Sequence, residues 1–163
     1  PPIAGDSAED SLRTEGVVAA SSLWPSMNRQ AIEAARDLVL EQARLQASEA
    51  GWLYLVGRVA GDPGRIGQLL PSLKNGRLKL YSLGSEVAES WLSLDYITQL
   101  VIEEDKLSSY EGVLFLTRYS AYAMVAFRQM DDSWIGYHTT DWVIVTELIE
   151  KLQKTYQLQK SLA

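Results

Sequence analysis

Apolar residues along this chain change period several times, and each change marks an element. Ile32, Ala35, Leu38, Val39 and Leu45 recur at helical spacing, with Glu33, Arg36, Glu41 and Arg44 available for a wet side. Such a stripe predicts a helix, here capped by Ser26 and running to about Ala50, where Gly51 stops it. Trp52 to Val56 is a run of aromatic and branched residues, the pattern of a strand. Gly61-Asp62-Pro63-Gly64 reads as a turn, and Ile66 to Leu73 as a short helix ending before Asn75-Gly76. Leu78 to Leu83 alternates as a second strand that Gly84 ends, and Ser85 opens a helical stretch through Val87 and Trp91. From Leu92 to Ile102 both periods fit. Leu94, Tyr96, Leu100 and Ile102 suit a strand, while Trp91, Leu94 and Val101 suit a helix, so the pattern leaves this segment open.

The last third is more regular. Val113 to Thr117, Tyr122 to Gln129 and Trp134 to His138 form three short strand patterns, joined by Arg118-Tyr119-Ser120 and Asp131-Asp132-Ser133. Close spacing and turn residues predict an antiparallel meander. Tyr122 to Phe127 is apolar on both alternating faces, which suits a central strand rather than an edge. Thr139, Thr140 or Asp141 caps a final helix in which Trp142, Val145, Ile149, Leu152 and Tyr156 make one apolar face. The order predicts an α/β or α+β fold: a mixed, mostly antiparallel sheet flanked by long N- and C-terminal helices. Residues 1–22 read as a flexible tail or linker and residues 23–163 as one domain. The small, polar, acidic opening after Pro1 suggests an excerpt from a larger protein.

Composition then narrows the chemistry. The 163 residues contain no Cys and one His, which excludes disulfides, thiolate nucleophiles and any Cys-ligated metal. The net charge of -6 disfavours nucleic-acid binding, because phosphate neutralisation needs clustered Lys and Arg. No apolar run approaches the roughly 20 residues of a membrane-spanning helix, and no signal peptide is visible, so a cytoplasmic location without membrane insertion is expected.

Five groups of residues bear on function. Gly57, Gly61, Gly64 and Gly67 follow a strand, where a phosphate loop with Arg65 would sit, but neither nucleotide fingerprint is present and turn geometry explains them. Glu103-Glu104-Asp105 offers carboxylates to a hard cation, against the simpler reading as a solvated turn. His138, with Asp141 three positions on, has the parts of a general base, against a His beside a helix cap with no nucleophile near it in sequence. The five Trp and eight Tyr are the most informative group. Many such residues line cores. Trp91, Trp134, Tyr137, His138 and Trp142 lie among polar residues and are the expected lining of a pocket for a flat ligand. The polar end of the last helix, with Gln153, Lys154, Gln157 and Lys160, suits either packing on the sheet or continuation into a coiled-coil connector.

The sequence between Leu70 and Leu152 resembles the sensory DICT domain of bacterial and cyanobacterial signalling proteins. The resemblance rests on Leu78-Lys79-Leu80-Tyr81-Ser82-Leu83-Gly84, on Gly112 through Ala126, and on Thr139-Thr140-Asp141 before the closing helix. The order of a long opening helix, the Trp52–Val56 strand, a late meander and an exit helix also resembles GAF-like sensor domains, without a Cys for bilin attachment. Either resemblance implies a non-catalytic sensory or regulatory input domain. It would bind a small ligand or partner as a homodimer and pass the signal through terminal helices to an output domain or partner signalling protein. The alternative is a protein–protein interaction or dimerisation domain with a filled core. No cofactor is specified.

Overall fold

A computed structural model of the chain describes residues 22–57, 63–84, 88–101 and 109–156. These residues form a mixed α+β fold around a seven-stranded sheet. The elements in chain order are β1 (Ser22–Met27), α1 (Arg29–Leu45), β2 (Gly51–Val56), α2 (Pro63–Gly67), α3 (Leu70–Lys74) and β3 (Leu78–Gly84). A 3₁₀ turn (Glu89–Trp91), β4 (Ile97–Val101), β5 (Tyr110–Thr117), β6 (Ala121–Arg128), β7 (Trp134–Thr139) and α4 (Trp142–Tyr156) follow. Strand order across the sheet is β1-β7-β6-β5-β2-β3-β4. The β2–β3 and β3–β4 pairs are parallel and the other four are antiparallel, so the sheet is mostly antiparallel as its pattern predicts. The β5–β6–β7 meander is present, and β6 is central, between β5 and β7.

Both sheet faces are covered, which explains why strands such as β5 are buried at every position. Alternation divides the core in two. Tyr54, Val56, Tyr81, Leu114, Val125 and Tyr137 point to the face that α4 covers with Val145, Leu148, Ile149 and Leu152. Leu53, Leu55, Leu80, Val113, Phe115 and Met124 point to the opposite face, covered by α1 through Ile32, Ala35, Val39 and Ala43. The molecule is therefore a three-layer sandwich.

Several boundaries differ from the sequence expectation. The α1 cap is Asn28, whose side-chain oxygen accepts the Ala31 N–H at 2.8 Å. Ser26 instead lies in β1, an edge strand whose register with β7 shifts between Trp24 and Met27, around Pro25. The helix ends at Leu45 rather than Ala50. The Ala47 carbonyl accepts the Arg77 and Leu78 N–H groups at 2.7 and 3.2 Å, which turns the chain into the sheet. Gly51 then begins β2, where an added Cβ would stand 2.3 Å from the Leu116 carbonyl oxygen. Leu38 and Leu45, expected on the buried stripe, are exposed, while Arg36, expected on the wet side, is buried.

The single helix expected from Ile66 to Leu73 is two short ones. Pro71 sits in the first turn of α3, and its ring and missing N–H oppose continuation from α2. In the open segment, the strand period holds from Ile97 to Val101 and a turn precedes it. Of the helical stretch expected from Ser85, residues 85–87 lie outside the described residues, and of the rest Glu89–Trp91 is 3₁₀. The tail before Ser22, the acidic run at 103–105 and the helix end beyond Tyr156 lie outside the described residues.

Candidate functional site

The five residues expected to form an aromatic pocket are not brought to one place. Trp91 is buried in the 3₁₀ turn between β3 and β4. Trp134, Tyr137 and His138 belong to β7, four strands away from β3, about 19 Å at ordinary strand spacing. Within β7, Trp134 packs on the α1 side while Tyr137 is fully buried on the α4 side. Trp142, expected on the apolar stripe of α4, is 44% exposed at the start of that helix. There Asp141 Oδ1 accepts the Val143 and Ile144 N–H groups at 2.9 and 3.2 Å, so of the three caps the sequence offers for this helix it is Asp141 that serves. That oxygen is engaged in capping rather than orienting His138. The His138 ring lies 6.2 Å from the Tyr122 ring, tilted by 43°.

Tyr122 lines an opening among the described residues. Between α1 and the β5–β6 hairpin lies a groove of about 410 Å³. Helix α1 lines it with Ala35, Leu38, Val39 and Gln42, and the sheet with Phe115, Ser120, Ala121 and Tyr122. None of these side chains is charged. Leu38 is 70% exposed at the mouth, whereas Phe115 is buried at the floor. Burial raises the Tyr122 phenol above its ordinary pKa. The volume lies within the range of small-molecule sites.

Helix α1 spans this groove like a bar fastened at both ends to β5. At its N-terminal end, the Arg29 guanidinium binds the Glu111 carboxylate, which is 1% exposed. Arg29 also reaches Glu33 one turn on, at 3.3 Å. Burial lowers the Arg29 pKa, but hydrogen bonds and charge from Glu111 and Glu33 outweigh it and raise the net value. At the other end, Thr117 Oγ1 donates to Gln46 Oε1 at 2.6 Å, and Gln46 Nε2 donates to Ser120 Oγ at 2.8 Å. Glu111, Val113, Phe115 and Thr117 share one face of β5 by alternation. The two attachments thus bracket the groove floor.

A second, smaller crevice of about 170 Å³ separates α1 from α2 and is lined by Asp37, Glu41, Arg44 and Arg65. Its charges are mutually paired: Arg65 with Asp37, and Arg44 with Glu41 at 2.6 Å. Asp37 also holds the buried Arg36 at 3.1 Å. Arg65 therefore serves a helix–helix ion pair. Gly57 serves geometry: its φ is +79°, and a Cβ there would meet the Tyr110 carbonyl oxygen at 2.1 Å.

No protein-family model matches the sequence, and no curated protein matches it. The groove was missed in sequence because each lining residue fits ordinary core or turn patterns. One signal was present. Leu38, Val39 and Leu40 are consecutive and cover an arc of about 200° on a helix, too wide for a single buried stripe. One of the three had to face outward, and it is Leu38.

Proposed function

We propose that this domain is a non-catalytic sensory or regulatory module whose ligand occupies the groove beneath α1. The uncharged, half-open groove between Leu38 and Phe115 carries this reading. A ligand there touches both the helix and the sheet, so its binding free energy changes how α1 sits on β5. In the proposal, that shift passes through the terminal helices to an output domain or partner, in the cytoplasm, as the DICT-like or GAF-like order suggests. Among the described residues no helix is long and apolar enough to cross a membrane.

Phenylnaphthylamine, a neutral fluorescent probe, tests the site. It should bind the native domain with enhanced emission, and Leu38→Glu should weaken binding at least about ten-fold, because a carboxylate at an apolar mouth must be desolvated. Absence of binding, or equal binding by the variant, would sink the reading.

One observation favours a second reading. Leu38 and Leu45, 70% and 60% exposed, stand seven residues apart on one face of α1 and leave two large apolar side chains in solvent, with Glu41 and Gln42 between them. On that reading the domain is a homodimer or binds a partner protein through α1. Sedimentation distinguishes the two: a dimer dissociated by Leu45→Glu, with phenylnaphthylamine binding absent, selects the association surface.

A further inference from the structure

The two attachments of α1 stand differently to the groove. Helix residues from Ala35 to Gln42 line it. Arg29 lies about 9 Å along the axis before Ala35, and Arg29, Glu33 and Glu111 are all absent from the lining. At the other end the attachment and the lining share members. Gln46 Nε2 donates to Ser120 Oγ at 2.8 Å and to Gln42 Oε1 at 3.3 Å, and both acceptors belong to residues that line the groove. The buried Thr117 hydroxyl donates to Gln46 Oε1 at 2.6 Å and accepts the Tyr119 and Ser120 N–H groups, both at 3.2 Å. One hydroxyl therefore holds both the turn that carries Ser120 and the amide that contacts Gln42. The Gln46 N–H also meets the Gln42 carbonyl at 3.0 Å. Just beyond, the Ala47 carbonyl holds the Arg77 and Leu78 N–H groups, so an opening at this end is confined to the last turn of α1, from Gln42 to Gln46.

We infer that Thr117 and Gln46 are positioning residues of the groove: without lining it they hold one end of its wall, and an occupant is coupled to the C-terminal attachment of α1 and not to the N-terminal one. This rests on the groove being the ligand site and adds how its occupancy is sensed. The coupling follows from linkage. A ligand slows any opening that destroys its site by a factor of one plus the ratio of free ligand to Kd, and it leaves untouched an opening that keeps the site intact. Opening of the last turn takes Gln42 out of the wall and releases Ser120, so it destroys the site. Release of Arg29 and the first turn leaves Ala35, Leu38, Val39 and Gln42 seated, so it does not. By reciprocity, a pull on the last turn of α1 changes how tightly the groove holds its ligand.

Amide hydrogen exchange with and without phenylnaphthylamine, at about ten times its Kd for the chain under test, examines both ends. In the native domain, exchange at the Gln46 amide should slow about ten-fold when the probe is bound. Ile32, whose N–H meets the Asn28 carbonyl at 3.2 Å, reports the first turn. The faster exchange of Ile32 in Arg29→Ala should persist with the probe bound. The faster exchange of Gln46 in Thr117→Val should be slowed about ten-fold by the probe, and Thr117→Ser, which keeps the hydroxyl, should exchange as the native chain does. Equal slowing at both ends, bound probe without slowing at Gln46, or a Thr117→Ser chain that behaves like Thr117→Val would each overturn the inference and leave the groove reading standing. If the probe does not bind the native domain, the groove reading falls and the inference falls with it.

Discussion

Tyr54 shows how a single buried hydroxyl affects stability. Its ring stacks on Tyr81 with centroids 4.7 Å apart, fully buried beneath α4. The hydroxyl completes no hydrogen bond, although Gln153 is the polar side chain that interacts with it. Burial raises its pKa above the ordinary tyrosine value, and Tyr137 is raised in the same way by burial and by Tyr110. Removing an unsatisfied buried hydroxyl removes a desolvation penalty, so Tyr54→Phe should stabilise the fold by about 1 kcal/mol in urea denaturation. The pH dependence has a definite sign. Above about pH 10 the unfolded chain loses phenolic protons that the folded chain retains, so stability is full below that pH and falls as pH rises. Tyr54→Phe should flatten this alkaline loss, and identical slopes for variant and native chain between pH 9 and 11, the window that follows from the ordinary tyrosine value, would contradict the assignment.

At the scale of elements, α1 is where sequence and structure differ most instructively. Its existence and its buried residues Ile32, Ala35 and Val39 were legible from periodicity. Its ends were not. Ser26 and Asn28 are both competent caps, but Ser26 lies inside β1, two residues before the break that precedes α1, which leaves the role to Asn28. Asn28→Ala should cost about 1 kcal/mol, measured by thermal unfolding, whereas Ser48→Ala, after the end of α1, should change stability little. The exposed side of α1 was equally hidden. A helix pattern identifies which residues can share a face, but which leucine the sheet leaves uncovered depends on the width of the surface beneath it. Leu38 thus carried a core pattern into an open groove, and Leu45 carried one onto the exposed surface.

For the whole molecule, the attachment of α1 to β5 at two ends is the organising feature. The ends differ in kind. Arg29–Glu111 is an ion pair with one buried member, and Thr117–Gln46–Ser120 is a neutral hydrogen-bond chain. Arg29→Ala leaves the buried Glu111 carboxylate without its cation and should cost about 1–2 kcal/mol, the figure for buried pairs reduced because Arg29 is 39% exposed. Glu111→Gln, which removes the charge instead, should cost less. Amide hydrogen exchange separates the two ends. Thr117→Val should speed exchange at Gln46 and leave Ile32 unchanged, and Arg29→Ala should do the reverse. Equal acceleration along α1 in both variants would mean that the helix opens as one unit rather than by its ends.

The sequence by itself determined a mixed, mostly antiparallel sheet with helices, the meander, the central position of β6, a helix cap among Thr139, Thr140 and Asp141, and much of the buried face of each helix. These follow from local period and local hydrogen-bonding capacity, which a chain carries wherever it goes. The fold alone decided that Trp91, Trp134 and Tyr137 lie apart, because alternation sends Trp134 and Tyr137 to opposite faces and strand order separates β7 from the turn after β3. It also decided that Gln42, Gln46, Thr117 and Ser120, scattered over a helix and a distant hairpin, meet at one end of a groove. Their chemistry is a property of that meeting: each amide or hydroxyl is both donor and acceptor in sequence, and only its neighbours in space fix which bonds it makes.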